Sequence, residues 1–168
     1  MPDFIKSYVR IVERINYFIG RFAMYLIFAM MGILLWSSVS KTFFLPSLWT
    51  LEMAQFTMVA YYILGGPYSL QMGSNVRMDL FYGGWSPTQK AWVDAFMVSF
   101  LLLYLGVLLY GGYQSTSYAF QYGERSATAW RPFIWPIKTI MCFGIFLMIL
   151  QTLAEFFKDI ARIRGEEL

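Results

Sequence analysis

The sequence predicts an all-α membrane protein with four transmembrane helices and an amphipathic interfacial helix at its N-terminus. Two observations carry this. Hydrophobic residues make up 58% of the 168-residue chain and charged residues only 14%, with a mean hydropathy of +0.52; a soluble domain usually carries about 25% charge. The charges are also segregated. Four stretches (22–40, 53–76, 95–123 and 139–154) contain none at all. Lipid offers the backbone no hydrogen bonds, so a crossing segment must be helical or part of a closed barrel. The apolar runs are continuous rather than alternating, which selects helices.

The expected elements follow in chain order. Over 3–20, apolar Ile5, Tyr8, Val12, Ile15 and Ile19 recur every three or four residues, with Lys6, Arg10 and Glu13 on another face. That pattern predicts a helix lying on the cytoplasmic leaflet. Met1–Arg21 carries six charges before the first apolar run, so no cleavable signal peptide is expected. A hydrocarbon layer of roughly 30 Å takes about 20 helical residues, which places spans over 22–41, 51–76, 92–123 and 132–154. The third is long for one crossing and is expected to tilt or project into water. A cytoplasmic tail over 155–168 completes a single membrane domain. It repeats the amphipathic pattern weakly, with Phe156, Phe157, Ile160 and Ile163 against Lys158, Arg162 and Arg164.

Orientation follows from Lys and Arg in the flanks. Nine lie on the side that holds both termini and four on the other, so both termini are expected in the cytoplasm. All six tryptophans fall near span ends, where the apolar indole keeps its N–H near water. Trp36, Trp49, Trp130 and Trp135 would mark the outer interface, and Trp85 and Trp92 the inner one.

Missing residues exclude whole classes of chemistry. The chain has no histidine, which removes bis-His haem ligation, His-based metal sites and the usual general base near neutral pH. Its single cysteine, Cys142, supports neither a disulfide nor an iron–sulfur cluster. No cofactor and no catalytic residues are expected, and a net charge of +3 confined to membrane edges argues against nucleic acid as a partner. No ionisable group lies at mid-span. Each would cost about 2.5–3.5 kcal/mol on insertion scales, and a carrier of charged solutes would keep one. Polar mid-span residues are hydroxyls and amides such as Thr57, Ser69, Ser99, Gln114 and Thr116, whose plain role is helix–helix hydrogen bonding.

Two stripes of small residues stand out. Gly65, Ser69 and Gly73 recur at intervals of four in the second span, and Gly111, Ser115 and Ala119 do so in the third. Such stripes let another helix approach closely, either within the four-helix unit or from a membrane partner. Pro67 inside the second span predicts a kink, since it lacks an N–H for the carbonyl of Ile63. Thr50 is a candidate N-cap with Glu52 following, where a carboxylate suits the helix dipole. Arg77 and Asp79 close the second span and Glu124 the third. Trp130-Arg131-Pro132 and Trp135-Pro136 open the fourth, and Lys138, one turn in, could pair with Glu124 or snorkel outward.

Several segments together resemble one family. They are Leu51-Glu52, Leu64-Gly65-Gly66-Pro67-Tyr68-Ser69-Leu70, Gly73-Ser74-Asn75-Val76-Arg77-Met78-Asp79, Gly123-Glu124-Arg125-Ser126 and Trp130-Arg131-Pro132-Phe133-Ile134-Trp135-Pro136-Ile137-Lys138. This order and spacing is similar to the small membrane subunit of tripartite ATP-independent periplasmic (TRAP) transporters, the DctQ-like family. One departure is Asn75, where the family often carries His; Asn hydrogen-bonds but does not titrate. The resemblance implies a bacterial inner-membrane protein that joins a large membrane subunit as part of its static scaffold. A periplasmic protein would deliver the substrate, commonly an organic acid, for uptake driven by an ion gradient. Gly65, Ser69, Gly73, Gly111 and Ser115 are then candidates for close helix packing. Glu52, Arg77, Asp79 and Glu124 are candidates for polar contacts, and Trp49, Trp130 and Arg131 for the outer face. The rival reading is a self-sufficient four-helix carrier acting as a homodimer, with Glu52 as its carboxylate. A membrane anchor for a quinone or haem enzyme is a third class, from which bis-His haem is already excluded.

Overall fold

The computed structural model describes residues 3–73, 84 and 86–164. Among these the regular elements are four helices: α1 (Asp3–Phe43), α2 (Thr50–Gln71), α3 (Pro87–Gln121) and α4 (Trp135–Arg164). Three of them, α1, α3 and α4, are long and apolar enough to cross a membrane. In α2 the apolar content is diluted by Glu52, Gln55, four hydroxyl-bearing tyrosine and serine side chains and the Gly65-Gly66-Pro67 run.

The first departure from expectation is α1. The interfacial helix expected over 3–20 and the span expected over 22–41 form one continuous helix of 41 residues, about 60 Å long at 1.5 Å per residue. The charged boundary at Arg21 marks a change of surroundings, not the end of a helix. Gly20, the one residue there that weakens a helix, is instead a contact point. A Cβ on it would overlap Cβ and Cγ of Tyr68, so its bareness lets α2 close onto α1.

The second departure explains the first. α4 does not end near residue 154 but continues to Arg164. The apolar stripe at the start of α1 therefore meets protein. Val9, Val12 and Ala154 form a buried cluster, with Ile5, Tyr8, Leu150 and Phe157 packed against it. The Tyr8 hydroxyl donates to the Leu150 carbonyl at 3.1 Å, and its ring meets Phe157 edge-on. The two weakly amphipathic terminal segments are each other's partner, though Ile15 stays exposed.

α1, α2 and α4 pack against one another, whereas α3 rests chiefly on α4. The α2–α4 seam closes at Gly144, where a Cβ would overlap Ile63 Cγ2 and stand 3.1 Å from the Ile63 carbonyl oxygen. The α3–α4 seam is tight at Gly112, facing Cys142 Sγ. α3 begins with a full capping box: Ser86 accepts from the Gln89 N–H, and the Gln89 side chain accepts from the Ser86 N–H, with Pro87 in the first turn. Gly123, at φ +58, takes the left-handed position that ends the helix.

Between α3 and α4 the chain folds back on itself. Ser126 donates its N–H to the Pro132 carbonyl and Ile134 to that of Glu124, bracketing an isolated bridge between Arg125 and Phe133. Residues 132–134, expected at the head of the fourth helix, belong to this hairpin, and α4 starts at Trp135. Pro132 removes a donor where the hairpin needs only its carbonyl.

Candidate functional site

The small-residue stripes look outward. A Cβ built on Gly65 or on Gly111 would meet nothing within 4 Å. Ser115 is exposed one turn from Gly111, and Ser69 lies with Gly65 along a groove between α1 and α2. Gly73 stands apart. It lies past the end of α2 at φ +63 and terminates the helix rather than extending its face. Ala119, the last member of the second stripe, is fully buried. The glycines that bring helices of this chain together are Gly20, Gly144, Gly66 and Gly112. None belongs to the repeating stripes, Gly66 and Gly112 each standing one position past a stripe glycine, so the sequence carried little signal for them.

α3 presents the widest uncovered surface. Phe96, Phe100, Leu103, Val107, Tyr110 and Tyr113 are all mostly exposed along it. Between α3, α2 and α4 runs a cavity of about 440 Å³ lined by Ile63, Tyr104, Leu108, Gly111, Ser115 and Met141. Its wall is almost wholly apolar, with Lys138 at one end. The hydroxyls near mid-span mostly bond within their own helix: Thr57 to Met53 O, Ser99 to Ala95 O, and Thr116 to Gly112 O. Among those expected to bridge helices, Thr116 does so, meeting Cys142 Sγ at 3.3 Å.

The polar candidates sit at helix ends. Glu124 pairs with Lys138 at 2.6 Å, tying the hairpin to the first turn of α4. Glu52 is only 5% exposed, and among the described residues neither carboxylate oxygen has a hydrogen-bond partner. The N-cap of α2 is Trp49, with no side-chain cap, rather than Thr50. Thr50 instead donates toward Ser37 Oγ at 3.0 Å and Ser47 O at 3.2 Å, joining α2 to the end of α1. Trp49 and Trp130 are about 40% exposed. Arg131 is held at φ 50, a left-handed conformation that costs a non-glycine residue roughly 1–2 kcal/mol. Its side chain lines an apolar cavity of about 630 Å³ with Met53, Thr57, Ala60 and Pro136. Arg77, Asp79, Asn75 and Trp85 lie outside the described residues.

The sequence reading missed a polar clamp between the long ends of α1 and α4. Asn16 Nδ2 donates to Gln151 Oε1 at 2.7 Å, and Gln151 Nε2 donates to Glu155 at 3.0 Å. Lys158 bonds to Glu155 and also to Glu13 across the helices. Burial works against the charge on Lys158, but the hydrogen bonds it donates to Glu13 and Glu155, with the attraction of both carboxylates, together outweigh it and raise its pKa. The Tyr8 phenol is raised too, by burial. The signal was visible only as a pair, since each half reads alone as a solvated charged face.

Among the described residues no group of three or more His, Cys, Asp or Glu side chains could hold a metal ion. The arrangement offers open, apolar, small-residue helix faces and no mid-span ionisable cluster. No curated protein and no solved structure matches the chain. The family model for tripartite ATP-independent periplasmic transporters, DctQ component, matches residues 30–162. With helices fit to cross a bilayer, the chain is a membrane protein of the DctQ family, the small component of TRAP transporters.

Proposed function

We propose that this chain is a non-catalytic scaffold subunit that pairs with the large membrane subunit of a TRAP transporter in the bacterial inner membrane. In this reading α2 is a fourth span and both termini are cytoplasmic. The large subunit moves the substrate, an organic acid handed over by a periplasmic binding protein, at the expense of an ion gradient. The observation that supports pairing most directly is that Gly65 and Gly111 face open space. Bare glycines cost helix stability, about 1 kcal/mol each against alanine, and among the described residues that cost has no packing return. A helix from a partner would supply it. Trp49, Trp130 and Arg131 would then face the periplasmic protein, and Glu52 and Glu124 would sit at the polar rims of the large-subunit contact.

The homodimeric carrier needs a carboxylate at mid-membrane. Glu52 is buried and has no hydrogen-bond partner among the described residues, but it is the third residue of α2, at a helix end. The deciding experiment is substrate uptake by cells that keep the large subunit and the binding protein but lack this chain. The expected result is loss of uptake; full uptake would overturn the scaffold role.

A further inference from the structure

The groove between α1 and α2 that borders the Gly65 face has a different character. Tyr17, Arg21, Tyr25 and Phe28 lie at intervals of three or four on α1 and line one cavity of about 480 Å³, closed on the α2 side by Tyr61 and Tyr68. A second cavity of about 450 Å³ shares Met24, Tyr61 and Tyr68 with it and continues past Gly65 and Gly66 to Met148. Together they form one groove with Arg21 in the first cavity and Ala23, Met24 and Met148 along the second, where tyrosine hydroxyls and Ser69 also line the wall. From Tyr17 to Phe28 it follows α1 for about 16 Å, close to the depth of one leaflet of a roughly 30 Å hydrocarbon layer.

The Arg21 end is built for an anion. Arg21 donates one N–H to the Tyr17 hydroxyl at 2.8 Å, and its guanidinium stands 6.0 Å from the Tyr17 ring centre. No carboxylate among the described residues forms an ion pair with it. Tyr25 and Tyr68 are near enough to act on its charge. The remaining guanidinium donors and three phenol hydroxyls suit phosphate oxygens, which accept only. A single guanidinium at one end with Ala23, Met24 and Met148 further along fits a lipid headgroup and acyl chain, which can lie in the groove between α1 and α2 beneath a partner helix seated at Gly65. The α1 wall also precedes residue 30, where the family match begins.

We propose that this groove holds one anionic phospholipid, its phosphate on Arg21 beside Tyr17, Tyr25 and Tyr68, and an acyl chain lying along Met24 and Gly66 toward Met148. With both termini cytoplasmic, as proposed above, Arg21 lies at the inner leaflet, where anionic headgroups concentrate. The site is complete within this chain and needs no large subunit.

The test is native mass spectrometry of the full chain in detergent, titrated with phosphatidylglycerol or phosphatidylcholine of the same acyl chains. One phosphatidylglycerol is expected to be retained, favoured about fivefold, the value of one basic residue at a membrane surface. Arg21→Gln should abolish the preference. Arg14→Gln, an equal charge change at an exposed site two turns away on the same face and outside the cavity lining, should leave it intact. Arg21→Lys should keep part of it, because charge remains but the fork is lost. Circular dichroism checks that each variant is folded. Equal loss in the Arg21→Gln and Arg14→Gln proteins would overturn the site in favour of diffuse attraction. Displacement by an equal concentration of inorganic phosphate would overturn the lipid assignment. Loss of the lipid when the chain is co-purified with its large subunit would show a protein occupant instead.

Discussion

Asn16 and Gln151 are joined by a 2.7 Å side-chain hydrogen bond across 135 positions of sequence, and both are essentially buried. This contact fixes the height of α1 against α4. Replacing one partner by leucine strands the other in an apolar seam, at a cost of about 1–3 kcal/mol. Asn16→Leu and Gln151→Leu should each lower the melting temperature of the purified chain by several degrees, at about 2–4 °C per kcal/mol. The double variant should lose less than the sum, with a coupling of about 0.6–2 kcal/mol. Strict additivity would mean that the pair does not hold the helices.

The ion and hydroxyl contacts around that seam set an alkaline limit. Lys158 has its pKa raised by Glu13 and Glu155 against the opposing effect of burial, and Tyr8 has its own raised by burial. A raised folded-state pKa adds stability that is full below the unfolded value and lost as pH climbs through the folded one. Those unfolded values are 10.5 and 10.0. Melting temperature should therefore fall as pH rises above about 10, more steeply for wild type than for Lys158→Met with Tyr8→Phe. Matching slopes would contradict the assignment.

Two glycines of the same residue type should respond in opposite ways. Gly144→Ala forces a methyl into Ile63, and overpacking of this kind costs about 1–3 kcal/mol. Gly65→Ala meets empty space and removes a helix-weakening residue, a gain of up to about 1 kcal/mol. Thermal melts of the chain alone should show the first destabilised and the second unchanged or stabilised. Gly65→Leu and Gly111→Leu should still fold alone but should recover several-fold less large subunit on affinity purification. Undiminished recovery would remove the stripes from the interface.

Arg131 tests whether strain serves function. Arg131→Gly relieves the left-handed backbone at φ 50 and should raise stability by about 1 kcal/mol. If its side chain meets the periplasmic protein, transport should fall in the same variant while the melting temperature rises. An unchanged uptake rate would leave Arg131 without a role there.

The helical class and the order of the four helices were legible because hydrophobic run length and charge segregation are local properties. The Glu124–Lys138 pair was legible as one of two options for Lys138, whereas the hairpin that sets it was not, because Pro132 reads locally as the start of a helix. The continuous α1 and the long α4 were not. A charge boundary reports where lipid ends, and neither Arg21 nor Lys158 breaks a helix. Their pairing joins sequence positions 135 to 149 residues apart, so neither terminal stripe reveals its partner alone. The stripes at Gly65 and Gly111 could be read as packing surfaces, but only the three-dimensional arrangement shows that this chain leaves them uncovered. Gly73 was misplaced for a local reason, a left-handed turn that spacing alone does not display.

The scaffold account is tested most directly by flux into proteoliposomes holding this chain alone, the large subunit alone, or both, with loaded binding protein outside and an ion gradient across the bilayer. It requires concentrative uptake only where both membrane chains are present. Substrate-specific flux through this chain by itself, or undiminished flux through the large subunit by itself, would contradict it.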